Sequence, residues 1–370
     1  MFNLAKRFSI GIDVDDPWTY AGLKAPKSIM FPHYISKRLD GPGMRLLKKM
    51  SEREPPTDDY VVSKADSQEA CSSLAEHLVA AKISFVRCWF PWRFFEDSPK
   101  PESEVSRPVD ESNGEFPMDT FVDVLTARGI GVLPVVCCGY QRFLPHGLKV
   151  DSDRNAFVRR AAAHARLLVR KYKDKIRFWQ IENEPNWWHM HSVGGWREGS
   201  TWLNTDFKLQ LLKELNDAVH VEDTAAWTII NLEADAKLAK IGHFAAQCDM
   251  IGLDFYPNYK QASPIDVSIF RKAKTVAEKT GKPAMIIETG YPSGPALRGY
   301  STAKQAEYVR KACSEALAIE ALNAIGIWRY SDSAWRSFPL IENHFGLIDH
   351  QGRPKLAWNA ISEAAHNLIA

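Results

Sequence analysis

Glu184 lies in Phe178-Trp179-Gln180-Ile181-Glu182-Asn183-Glu184-Pro185-Asn186, and Glu288 in Ala284-Met285-Ile286-Ile287-Glu288-Thr289-Gly290-Tyr291-Pro292. Each closes a short run of β-type residues and meets a turn signal at once. The spacing therefore predicts two carboxyls at the mouths of strands, about a hundred residues apart and each beside aromatic residues. A single acidic residue is ordinarily a solvated surface group. Two in matching contexts point to paired acid chemistry, in which one carboxyl protonates a leaving oxygen and the other attacks carbon or activates water. Cleavage of a glycosidic bond needs such a pair.

Strand mouths converge only if the elements between them are arranged to bring them together. The chain alternates short apolar runs with helical ones. Strands are predicted at Phe8–Val14, Ile83–Trp89, Ile130–Val136, Ile176–Glu182, Trp227–Glu233, Met250–Phe255, Ala284–Glu288 and Ile325–Tyr330. Helices are predicted at Asp153–Tyr172, Asp206–His220, Ile265–Thr280, Thr302–Leu322 and Lys355–Ile369. Such alternation implies a parallel sheet, and eight units in 370 residues fit one α/β (β/α)₈ barrel spanning 1–370. No GxGxxG or P-loop follows any strand, so no nucleotide cofactor is expected. Residues 21–60 break the rhythm and are too long for an ordinary βα loop. They read equally as a cap over the site or as a peripheral excursion.

In a barrel the strand ends supply the site. Strand two offers Arg87, Trp89 and Trp92; strand four Asn183 and Glu184, then Trp187, Trp188, His189 and His191. Strand six ends at Asp254 and Tyr256, strand seven at Glu288, and strand eight at Trp328, Arg329 and Asp332. Nine of the twelve tryptophans fall at strand ends or in the following loops. Indole faces there suit stacking on sugar rings, though several will only pack loops onto the barrel.

Asn183-Glu184-Pro185 at the fourth strand end, with Glu288 at the seventh, resembles the retaining glycoside hydrolases of clan A, the 4/7 superfamily. The resemblance implies Glu184 as acid/base and Glu288 as nucleophile. It further implies Asn183 on the sugar 2-hydroxyl, Arg87 and Tyr256 against the nucleophile, and Trp328 beneath the −1 sugar. Trp89 or Trp92 and Trp187 or Trp188 would line further subsites. A nucleophilic carboxylate has to stay ionised, which a guanidinium and a phenol favour, whereas the acid has to keep its proton near neutrality. The carboxyls of a retaining pair stand about 5–5.5 Å apart. Many clan members carry a His near the end of strand three and another two before the strand-six Tyr. Here those places read Gly139-Tyr140-Gln141 and Asp254-Phe255-Tyr256. Glu288-Thr-Gly-Tyr-Pro-Ser is similar to the nucleophile segment of endo-galactanases and plant-type β-1,3-glucanases, without a match that extends to either family.

The partner is thus expected to be a β-linked oligosaccharide or polysaccharide. Competing readings are a transglycosylase on the same machinery, a non-catalytic carbohydrate-binding barrel, and a metal-dependent hydrolase using His189-Met-His191. The last pattern stands after strand four, away from the strand-one position such barrels use, and no metal is expected. A formal net charge of +2, with 25% charged residues, argues for neither nucleic acid nor a membrane surface. Cys71, Cys88, Cys137, Cys138, Cys248 and Cys313 form no CxxC pair. The amino terminus has no apolar leader core. Together these predict a cytoplasmic chain without disulfides.

Overall fold

The computed structural model describes residues 8–14, 64–92, 95–96, 116, 118–136, 144–145, 148, 150, 153–186, 204–332 and 340–368. Eight parallel strands close a barrel in sequence order. They are β1 (Ser9–Val14), β2 (Phe85–Trp89), β3 (Gly131–Val135), β4 (Phe178–Asn183), β5 (Trp227–Glu233), β6 (Met250–Phe255), β7 (Ala284–Thr289) and β8 (Leu322–Ile327). The helices are α1 (Lys64–Ala80), α2 (Asp119–Ala127), α3 (Arg154–Tyr172), α4 (Thr205–Glu222), α5 (Leu238–Ala245), α6 (Arg271–Thr280), α7 (Thr302–Ala318) and α8 (Leu356–Asn367). Among the described residues one α-helix follows each strand. Segment 21–60, Cys137, Cys138, His189 and His191 lie outside the described residues.

Three of the helices begin where a side chain satisfies a free amide. Asp153, Asn204 and Ser301 accept from the backbone N–H three residues on, at the starts of α3, α4 and α7. The apolar pattern Leu317, Ile319 and Leu322 carries the predicted helix too far. The helix ends at Ala318 and β8 begins at Leu322, three residues before its predicted start. Trp328 consequently stands just past the strand end.

Strand residues alternate between two cores. In β2, Val86 and Cys88 face outward into the layer beneath the helices, whereas Phe85 faces into the barrel. Leu133, Phe178, Ile229, Met250, Met285, Ile287 and Ala324 complete that inner plug. Gly11 makes room for it, since a Cβ there would run into the Phe85 ring. The plug seals the lower barrel, so the functional groups are confined to the upper, C-terminal end of the strands. The described cysteines, Cys71, Cys88, Cys248 and Cys313, are buried and unbridged. Among the described residues no helix is long and apolar enough to cross a membrane.

Candidate active site

Above the apolar plug the inward positions become polar. Arg87 of β2 is the centre of this layer and is buried. Its Nε donates to Gln180 Oε1 (2.6 Å) and its Nη2 to Asn183 Oδ1 (2.7 Å). Its Nη1 pairs with Asp13 of β1 and, at 2.6 Å, with Glu288 Oε1. Burial alone would pull the guanidinium pKa down, but Glu288, Asp13 and Asp254 around it hold it above its ordinary value. Arg87 also lies over the Trp89 ring, 4.9 Å from its centroid.

Strict alternation would not bring Glu288 here. Met285 and Ile287 already face the barrel interior, so the next residue should face the helices. The β6–β7 register slips by one residue between Leu253–Ile286 and Asp254–Glu288. This bulge turns Glu288 inward. Tyr256 OH donates to its Oε2 (2.9 Å), and Asn231 Nδ2 to its Oε1 (3.3 Å). Thr289, facing the other way, donates to Phe255 O (2.6 Å) and pairs with Tyr308 OH (2.5 Å), which ties down the strand end. At Gly290 a Cβ would collide with the Trp328 carbonyl, so glycine permits the close approach of the two strand ends.

β4 uses the same device. Its register on β5 shifts between Gln180 and Glu182, after which Asn183 pairs with Asn231. Glu184 follows with φ = 42°, a left-handed backbone that turns the chain at the barrel rim. Its N–H donates to Asn231 Oδ1 (2.9 Å). The turn is clamped from below, with buried Lys208 donating to Pro185 O (2.8 Å) and Asn186 exchanging two 3.0 Å bonds with the Glu233 backbone. Asn183 Nδ2 lies 3.4 Å from Glu184 Oε2.

Withdrawal from water pushes the Glu184 carboxyl up to about 8, with the Glu288 and Glu233 charges adding to the rise; a hydrogen bond shared with Asp254 and the charge of Arg87 oppose it. A folded-state pKa raised above the ordinary 4.5 means that Glu184 costs the fold nothing below about pH 4.5 and increasingly more as pH climbs towards 8. Glu184→Gln should therefore stabilise the protein. The gain should be negligible near pH 4.5 and reach roughly 1–3 kcal/mol by pH 8, or about 1–4 °C in Tm. Thermal melts across that range check this; a gain that shrinks with rising pH would contradict it.

Arg87, Asn183, Glu184, Tyr256 and Glu288 are thus brought together in one polar layer. Trp328 is half-buried beside them, edge-on to Tyr256 (centroids 5.7 Å) and 4.7 Å from Phe345. Trp89 faces the same interior. Trp92 does not. It is buried behind the sheet, stacked on His164 of α3 (5.0 Å, 13°) and edge-on to Phe157 (5.9 Å), so its ring faces are taken by the helix layer. Trp92 is thereby corrected from a subsite residue to a packing residue. Trp187 and Trp188 lie outside the described residues.

Sequence reasoning missed Asp13, Gln180 and Asn231 as site residues, and named Asp254 without a role. The signal available was a polar residue at an inward-facing strand position. Asn231, set among Ile229, Ile230 and Leu232, is the clearest, and it bridges Asn183 (2.8 Å), Asp254 (2.8 Å) and Glu288.

No protein-family model matches the chain, and no curated protein does. Solved structures do. GH5_18 from Streptomyces cattleya in complex with GlcNAc is similar at a TM-score of 0.63 and 17% identity, over 82% of this chain and 76% of that one. A family 39 glycoside hydrolase from Bacteroides cellulosilyticus gives 0.59 and 15%, over 80% and 60%. A GH2 β-galacturonidase from Eisenbergiella tayi gives 0.55 and 18%, over 81% of this chain and 48% of that one. This chain spans about half the length of the galacturonidase. The likeness is one of fold. It is the closed eight-stranded parallel (β/α)₈ barrel, in agreement with the architecture expected from the sequence.

Proposed function

We propose that the chain is a retaining β-glycosidase, with Glu288 as nucleophile and Glu184 as acid/base. The observation that carries this reading is the asymmetry of the two carboxyls within one polar layer. Glu288 accepts from Arg87, Tyr256 and Asn231, an environment that orients a carboxylate for attack. Glu184, at the rim, keeps its proton to about pH 8 and so has one to give.

The chemistry follows from those roles. A Glu288 oxygen attacks the anomeric carbon while Glu184 protonates the departing glycosidic oxygen. The glycosyl ester formed on Glu288 is then hydrolysed by a water from which Glu184, now a carboxylate, takes a proton. Asn183, positioned by Arg87 and Asn231, can bond the sugar 2-hydroxyl more strongly as positive charge develops on the ring. A transglycosylase would use the same steps with a sugar acceptor in place of water.

The test is a panel of aryl β-glycosides and β-linked oligosaccharides, including mannosides and N-acetylglucosaminides in view of the sugars bound by the structural neighbours. The anomeric configuration of the first-formed product is followed by NMR. Turnover with retention supports the proposal. Inversion would refute the nucleophile assignment, and binding without turnover would favour a carbohydrate-binding barrel.

Trp328→Ala should lower kcat/KM by roughly 10- to 100-fold for short and long substrates alike. Its ring borders Tyr256, which holds the nucleophile, so it acts on the sugar undergoing reaction. A loss confined to long oligosaccharides would move Trp328 to a distal subsite.

A further inference from the structure

Asp254, at the end of β6, is a third carboxyl beside Glu184 and Glu288, and the proposed mechanism does not use it. It is 4% exposed. Its Oδ2 accepts from Asn231 Nδ2 (2.8 Å), while its buried Oδ1 receives no hydrogen bond from any described residue. Asn231 links this carboxyl to the Glu184 turn, its Nδ2 donating to Asp254 Oδ2 and its Oδ1 accepting from the Glu184 N–H (2.9 Å). The charged groups facing Asp254 are Glu233 on β5, Glu288 on β7, Glu184 in the turn after β4 and Arg87 on β2. Acids outnumber the single guanidinium, which is already shared with Asp13 and Glu288.

We propose that Asp254 is a positioning residue that stays a neutral acid at working pH and donates a hydrogen bond to the carboxyl of Glu184. This rests on Glu184 being the acid/base. Burial first, then the Glu288 and Glu184 charges, push Asp254 well above the ordinary carboxylate range, in keeping with the geometry. When Glu184 passes its proton to the leaving oxygen, the new carboxylate faces an O–H donor and not a second anion. Asp254 keeps its own proton throughout, so charge and protons balance: Glu184 gains the negative charge that Glu288 loses on forming the ester. A donor to the ionised form favours that form, so Asp254 also helps Glu184 serve as base in the second step.

The test has two arms. In the first, ¹³C NMR of protein labelled at aspartate side-chain carboxyls is compared with Asp254→Asn to assign the signal. The Asp254 resonance should lie in the protonated range at pH 7; a resonance in the ionised range overturns the proposal. This arm needs no substrate, so it decides the proton on Asp254 even if the glycosidase reading fails. In the second, the variants are assayed on an aryl glycoside whose deglycosylation limits kcat. Asp254→Ala should lose about 10- to 100-fold in kcat, the worth of a donor to a charged group, with the acid limb moved to higher pH. Asp254→Asn, whose amide can still donate, should recover most of the loss. An Asn variant as slow as Ala, with the limb unmoved, would reduce Asp254 to a structural role.

Discussion

Glu288→Gln is expected to remove turnover, lowering kcat by on the order of 10⁴-fold or more, the scale seen when a covalent nucleophile is deleted. The amide occupies the same volume among Arg87, Tyr256 and Asn231, so the protein should fold and still bind sugar. Glu184→Ala should behave differently. An aryl glycoside with a good leaving group departs without a proton, so the ester on Glu288 should form and then persist for want of a base. Azide, which needs no base, should restore turnover and release a β-glycosyl azide. In the unmodified enzyme kcat/KM should fall on the alkaline side with a limb near pH 8, where Glu184 loses its proton, and that limb should vanish in Glu184→Ala. Steady-state kinetics with and without azide check all of this. Ordinary activity in either variant would remove the pair from the mechanism.

Arg87→Ala is the second large effect, and it falls on stability as well as rate. The side chain is buried, uses its whole fork, and sits against Asp13 and Glu288 with Asp254 close by. Removing one partner of such a network leaves charge uncompensated in a low-dielectric interior, at about 3–5 kcal/mol. Urea unfolding should report that loss near neutral pH and a smaller one as pH falls and the stranded carboxyls take up protons. Arg87→Lys should lie between, since an ammonium keeps the charge but cannot span Gln180, Asn183, Asp13 and Glu288 together. An alanine variant as stable as the parent would mean that the carboxyls are already mostly neutral.

The sequence by itself determined the architecture and set the two proposed reacting carboxyls, Glu184 and Glu288, at strand ends. Eight β-type runs alternating with helical ones admit few closed arrangements, and turn residues after Asn183-Glu184 and Glu288 mark both as strand ends. It also brought out Arg87, Tyr256 and Trp328, because a strand's last residues reach the barrel mouth whatever the packing. Only the tertiary structure decided which way the last residues point. A one-residue bulge leaves no trace in a period-two pattern, yet without one Glu288 would follow Ile287 outward into the helix layer. The same blindness hid Asn231 and Asp13, since an isolated polar residue in a strand looks alike whether it faces a site or solvent. Trp92 failed for the complementary reason: an indole after a strand can turn towards the mouth or back beneath a helix, and the ring of His164 on α3 decided for the latter. Register and helix packing are contacts between residues far apart in the chain, and local spacing carries no record of them.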